Sequence, residues 1–245
     1  MIADDTAVRR PVGDGQVLLE FDSLPSTMDV ARLALLAEDR SVVGVRAGHQ
    51  TRGRGRRGAP WVEAPRTCLL VTYLLRLDLS PDAARLAFAA GAAVAEAVER
   101  ITGLVPGLKW PNDVLLNDRK VAGVLVEAHG RDALVGVGLN VNIETFPPGL
   151  VGVATSLRIE TGQVWNLEVV EEAVRNRLSD LQSARWPSVL QRWRRFDQTA
   201  GRRYLAVVGG AEIASTAVGV SDSGALLVRT PSGEVQAVIS ATSAP

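Results

Sequence analysis

The chain has 245 residues, room for one large domain or a large one with a small companion. Hydrophobic residues make up 47% and charged residues 22%, which excludes a disordered chain. Lys+Arg and Asp+Glu both total 27, so no global charge draws the protein to nucleic acid or an acidic membrane, and any anion site must be local. The single cysteine, Cys68, excludes an internal disulfide. With no apolar signal core at the start and no apolar run near the roughly 18–20 residues a membrane span needs, the expectation is a cytoplasmic protein.

Residues 1–15 mix Asp, Arg, Gly and Pro and read as a flexible tail. Residues 16–21 (QVLLEF) predict a short strand. SLPST then supplies capping hydroxyls for a helix over MDVARLALLAED. SVVGVRA predicts a buried strand running into HQTRGRGRRGAPW, where three glycines and four arginines displace regular periodicity. TCLLVTYLL resumes as a strand too apolar for a half-wet sheet. Residues 81–100 give the clearest helix, Ala-rich, with Gly103 just beyond its end. LKWPNDVLLNDRK reads as a hairpin, and VAGVLVEA and LVGVGLNVNI as central strands. A second amphipathic helix spans 167–185, followed by WPSVLQRWRRF. From about residue 201, short apolar stretches separated by SDSG and PSGE predict a small β-barrel or sandwich, with a boundary near 197–201.

The segment TRGRGRRG, residues 51–58, carries the strongest chemical signal. Glycines allow close backbone approach to an anion, and arginines supply permanently charged forked donors for carboxylate or phosphate. Four arginines within six positions repel one another unless solvent or an anionic ligand separates their charges. A solvated surface loop and a nucleic-acid tether are the bland alternatives, but the run lies between two buried-looking strands. The phosphate-loop pattern GxxxxGK[ST] is absent from the sequence. Downstream, Lys109, Asn112, Asp113 and Lys120 gather around the KWPND hairpin, where pairing across Asn117-Asp118 would bring both lysines to one side. Asp113 offers a carboxylate for magnesium, and Gly123 suggests close approach of a ligand or backbone. Cys68 and the apolar runs around Val121 and Val135 read as core; His49 reads as orienting the loop, and His129 has no metal-spaced partner. Trp186 and Trp193 read as a packing stripe between domains.

SLPSTM, HQTRGRGRRGAPW, KWPNDVLLNDRKVAGVLVEA, VGVGLNVN and FPPGLVGVATSLRIETG resemble, in order and spacing, the motifs of biotin protein ligases. The resemblance runs from about residue 20 to 162, and the β-rich end is similar to that family's C-terminal domain. It implies an α+β catalytic domain over 16–198, a class II synthetase-like mixed sheet flanked by helices, and an SH3-like barrel over 199–245. The form resembled is the short one, without an N-terminal DNA-binding domain or repressor role. Implied substrates are biotin and Mg-ATP, with Mg²⁺ as cofactor. The implied acceptor is a lysine on the biotin carboxyl carrier domain of an acetyl-CoA or acyl-CoA carboxylase. A homodimer through a sheet edge is left open.

By resemblance, Ser26, Thr27, Gln50, Gly53, Arg54, Lys120 and Gly123 contact biotin. Arg54, Arg56, Arg57, Trp61, Lys109, Asn112 and Asn140 contact the adenylate. Lys120, Arg54, Lys109 and Asp113 are the catalytic candidates; Asp113 either binds Mg²⁺ or orients the incoming amine. Arg52, Ala59, Glu63 and Met28 depart from the family pattern. The nearest rival is a lipoate or octanoate ligase or transferase. A rival of another class is a nucleic-acid-binding module using the arginine run.

Overall fold

The structure is a computed structural model that describes residues 7–77, 82–180 and 185–243. Eight strands form one mixed sheet: β1 (Val8–Gly13), β2 (Gln16–Phe21), β3 (Val42–Ala47), β4 (Cys68–Arg76), β5 (Gly107–Lys109), β6 (Asp113–Leu116), β7 (Arg119–His129) and β8 (Asp132–Asn140). Their order is β1-β2-β3-β4-β8-β7-β6-β5. Among the described strands only β2 and β3 pair in parallel, and the crossover between them contains helix α1 (Thr27–Leu36). The central strands read as continuous apolar runs because both sheet faces are covered. On one face lie α2 (Ala83–Thr102), the short α3 (Leu157–Thr161), α4 (Leu167–Ser179) and α5 (Trp186–Phe196); α1 covers the other.

Local chemistry sets the helix ends. The Asp82 carboxylate accepts the N–H groups of Ala84 and Arg85, and α2 stops at Gly103 in the left-handed region. Position 81, where this helix was expected to begin, lies outside the described residues, as do 181–184 of the helix expected over 167–185. Cys68 is buried in β4, where burial pushes its thiol up to about 12, consistent with a core residue.

The flexible tail expected over residues 1–15 is corrected from Val8 onward, because Val8–Gly13 is an edge strand paired antiparallel to β2. Charge pairing, invisible in the composition, holds it. Arg10 donates to Glu20 at 3.0 Å and to Glu171 at 2.7 Å, and Glu171 is fully buried and shared with Arg175 and the Tyr73 hydroxyl. Residues 1–6 of that tail lie outside the described residues.

The second sheet contains β9 (Arg203–Val208), β10 (Ala211–Val220), β11 (Leu226–Arg229), β12 (Val235–Val238) and β13 (Ala241–Ser243), in the order β12-β11-β10-β9-β13. All its ladders are antiparallel, and among the described residues none joins β12 to β13. The small C-terminal β-unit expected over 199–245 is present as a five-stranded antiparallel sheet, without a closing ladder among the described residues. Its last strand spans only three residues and is used up pairing with β9.

Tryptophans seal this sheet to the larger unit. The Tyr204 hydroxyl donates to the Trp110 carbonyl, Trp110 Nε1 donates to the Gly224 carbonyl and Trp186 Nε1 donates to the Asp222 carbonyl. Trp193 is fully buried against Phe88. No helix among the described residues is long and apolar enough to cross a membrane.

Candidate active site

A cavity of about 230 Å³ opens on the α1 face of the large sheet. Its floor follows from strand register. Leu70 and Thr72 on β4 face Gly138 and Gly136 on β8, which in turn face Gly123 and Leu125 on β7. Directly paired residues share a sheet face, so three glycines line up where side chains would otherwise fill the space. At Gly138 an added Cβ would stand 2.7 Å from the Trp61 indole, and at Gly123 it would stand 3.1 Å from Lys120 Nζ. The Lys120 ammonium lies 5.5 Å from the centre of that indole.

One end of the cavity is polar and uncharged. Ser26 caps α1 through its backbone alone, which leaves its buried hydroxyl uncommitted to the helix. Thr27 donates to Gln50 Oε1 twice, from its N–H at 2.7 Å and its hydroxyl at 3.1 Å, and that hydroxyl also meets Thr72 Oγ1 at 2.8 Å. Gly53 stands behind Gln50, where a Cβ would lie 3.1 Å from Nε2, and its carbonyl accepts the Trp61 N–H.

The other end is ionic. Lys120 Nζ lies 2.6 Å from Asp113 Oδ1, and Lys109 Nζ lies 3.4 Å from Asp113 Oδ2. A β-bulge makes this meeting possible. Asp113 pairs with Gly123 and Val114 with Ala122, but Leu115 pairs with Lys120, leaving Val121 as the extra residue. In an unbroken strand, Lys120 would share the face of Ala122 and point into the helical core; the bulge shifts it to the Gly123 face. Backbone bonds to Val153 and Thr155 hold Lys120 from the other side. Asn112 donates from its side chain to the Val124 carbonyl at 2.6 Å, fastening the KWPND turn to β7.

Three of the loop's four arginines, Arg54, Arg56 and Arg57, take separate duties. Arg54 forms a two-pronged pair with Asp29 of α1, at 2.6 and 3.0 Å. That pairing holds the Asp29 carboxyl below its usual range and raises the Arg54 guanidinium. Arg57 donates to Ser240 Oγ at 2.9 Å and to Thr242 Oγ1, so it reaches the second sheet instead of the cavity. Arg56 lines the cavity, lies 5.9 Å from the Trp110 ring centre and has no carboxylate partner among the described residues. Burial, with Arg57 alongside, holds its guanidinium below the ordinary value.

Of the residues expected at the site, Ser26, Thr27, Gln50, Arg54, Arg56, Trp61, Asn112, Asp113, Lys120 and Gly123 line the cavity. Lys109 joins through Asp113 and also reaches Ser243 Oγ at 3.3 Å. Asn140 stands apart: it is buried, its side-chain amide donates to the Thr155 carbonyl, and its oxygen faces the Cys68 thiol at 3.7 Å. Four contributors were not singled out from the sequence. Asp29 looks like an ordinary acidic residue in a first helical turn. Thr72 is a lone hydroxyl in an apolar strand, which was a usable signal. Gly136 and Gly138 matter only once β8 is registered against β4 and β7.

Residues 20–144 match the biotin/lipoate A/B protein ligase family, and residues 205–242 match the biotin protein ligase C-terminal domain. The chain belongs to this family. Among curated relatives, the biotin–[acetyl-CoA-carboxylase] ligase of Paracoccus denitrificans is 34% identical over 205 residues, covering 77% of this chain and 85% of that protein. The bifunctional ligase/repressor BirA of Bacillus subtilis is 29% identical over 233 residues, covering 89% of this chain and 71% of the relative. Among solved structures, the biotin protein ligase of Aquifex aeolicus in complex with biotin and ATP superposes with a TM-score of 0.77 at 28% identity, covering 93% of this chain and 99% of that one. In this fold the cavity joins a neutral hydrogen-bonding end to an ionic end along one glycine floor.

Proposed function

We propose that this chain is an ATP-dependent biotin ligase. Biotin is activated as biotinyl-5′-AMP and passed to one lysine of a biotin carboxyl carrier domain, in a carboxylase of the acetyl-CoA or acyl-CoA class. The observation that carries this reading is the cavity's polarity. Ser26, Thr27, Gln50 and Thr72 suit a neutral ring with its own donors and acceptors, while Arg56, Lys109 and Lys120 suit a carboxylate meeting a polyphosphate.

In the first step a biotin carboxylate oxygen attacks the α-phosphorus, the new C(O)–O–P link forms and pyrophosphate leaves. Two anions must approach, so cations have to offset their repulsion and hold the line of attack. Lys109, Asp113 and Lys120 together carry one net positive charge, and Asp113 keeps both ammonium groups at the reacting end. Arg56, unpaired and half-buried, is assigned the adenylate anion; Arg54 and Arg57 brace the loop on either side of it. In the second step the carrier lysine's neutral amine attacks the acyl carbon, AMP leaves and the amine nitrogen loses its proton. Lys120 stabilises the charge that develops on oxygen in both steps. Trp61 forms a wall beside Lys120 that keeps water from the mixed anhydride.

Asp113 does not fit a resident metal. Both its oxygens already face ammonium groups, and no cluster of three His, Cys, Asp or Glu occurs among the described residues. Mg²⁺ therefore enters as part of the ATP substrate, bound to its phosphates. The proposed compartment is the cytoplasm, and the proposed division of the chain is residues 16–198 for catalysis and 199–245 for the small β-domain.

The decisive experiment incubates the protein with a carrier domain, Mg-ATP and labelled biotin or labelled lipoate. Label should pass from biotin to one carrier lysine only when ATP is present. Transfer from lipoate but not biotin, or no ATP-dependent transfer, overturns the reading. The uncharged hydrogen-bonding end favours biotin, since the dithiolane of lipoate has no hydrogen-bond donor to place there.

A further inference from the structure

Among the polar residues at the neutral end, Ser26 and Thr27 stand on a helix start and Thr72 on a central strand. Gln50 lies outside the named helices and strands, at the entrance to the Arg/Gly loop. Its backbone N–H donates to Glu63 Oε1 at 2.8 Å, and His49 Nδ1 shares that same oxygen at 2.6 Å. The Glu63 side chain is only 4% exposed, and its second oxygen is buried with no hydrogen-bond partner among the described residues.

Burying a carboxylate with one idle oxygen carries a desolvation penalty, set against the two bonds made by its other oxygen. What it secures is the direction of the next residue in line. From Glu63 the bonds run unbroken to the Gln50 backbone, from the Gln50 side chain to Thr27, and from Thr27 to Thr72. A shift at Glu63 is therefore delivered to the groups that meet the neutral ring, while the cations around Asp113 lie outside this chain of bonds. Resting on the reading that the ligand is biotin, we infer that Glu63, steadied by His49, is a positioning residue that sets Gln50 for biotin recognition.

The test is steady-state kinetics with biotin and ATP varied separately, on the wild type, Glu63→Ala and Glu63→Gln. Glu63→Ala should raise the KM for biotin about tenfold and leave kcat and the KM for ATP within about twofold. Glu63→Gln keeps an oxygen for the Gln50 N–H and should stay within about threefold of wild type. Thermal melts establish that each variant is folded, and Glu63→Leu, closer in volume, replaces Glu63→Ala if the latter is not. An unchanged KM for biotin overturns the inference. So does a joint loss of kcat and ATP affinity that Glu63→Gln fails to restore, or unfolding of both apolar variants. A wild type that transfers no biotin overturns the proposed function itself; an active wild type with insensitive Glu63 variants overturns only the role of Glu63.

Discussion

Lys120 is placed by a one-residue irregularity in β7 and oriented by Asp113, so its side chain and its backbone do separable work. Lys120→Ala removes the ammonium but leaves the bonds to Val153 and Thr155 in place. It should lower kcat by about 10²–10³ with little change in the unfolding midpoint. Circular dichroism melts beside single-turnover adenylate formation would check this, and a collapsed melt would make the lysine structural. Gly138→Ala tests the floor. The new methyl would stand 2.7 Å from the indole of Trp61, so the ring has to move. The expected outcome is a shifted Trp61 fluorescence and a rise of about tenfold in KM for biotin. At this scale the resemblance of the motifs picked out Ser26, Thr27, Gln50, Arg56 and Lys120, and the fold brings them to one cavity. The sequence was silent where direction matters. Arg54, Arg56 and Arg57 are chemically identical, and only folding sends one to α1, one to the cavity and one to the second sheet. Asn140 turned inward for the same reason, since nothing local announces that its amide is needed by the Thr155 backbone.

The Arg/Gly loop behaves as an element pinned at two points. Its inner pin is the Arg54–Asp29 pair, whose partners are both about a third or more exposed, so solvent screens it and no stability figure is attached. Asp29→Asn should nonetheless free the loop, seen as faster amide exchange over residues 51–58 at neutral pH. The pH dependence has a definite sign. Arg54 holds the Asp29 carboxyl below its ordinary 3.8, so the tether is complete above that value and is lost only as pH falls through the lowered one. The protection of loop amides relative to their intrinsic exchange rates should therefore show no step from neutral pH down to about 5, and the wild type should come to resemble Asp29→Asn only in stronger acid. Helices and central strands were readable from periodicity and caps, because those signals are local. Strand β1 was not, because its support comes from Glu171, some 160 residues away, in a buried charge cluster that composition cannot reveal.

Across the whole molecule, the second sheet is tied to the ionic end of the cavity by Tyr204 and Gly224 on Trp110, by Ser243 on Lys109 and by Ser240 and Thr242 on Arg57. Removing the last two hydroxyls together, as Ser240→Ala with Thr242→Ala, should weaken ATP roughly three- to tenfold while sparing biotin binding, measured by titration calorimetry of each ligand. The presence of a small β-unit was legible from its evenly spaced turns, but its function as an abutment was not, since the contacts join residues 94 to 185 positions apart. Arg57 makes the loop answerable to two bodies at once. Pulling on the loop from inside the cavity thus tugs the far sheet, and a dye fixed to the final strand would report filling of a chamber that the strand itself never touches.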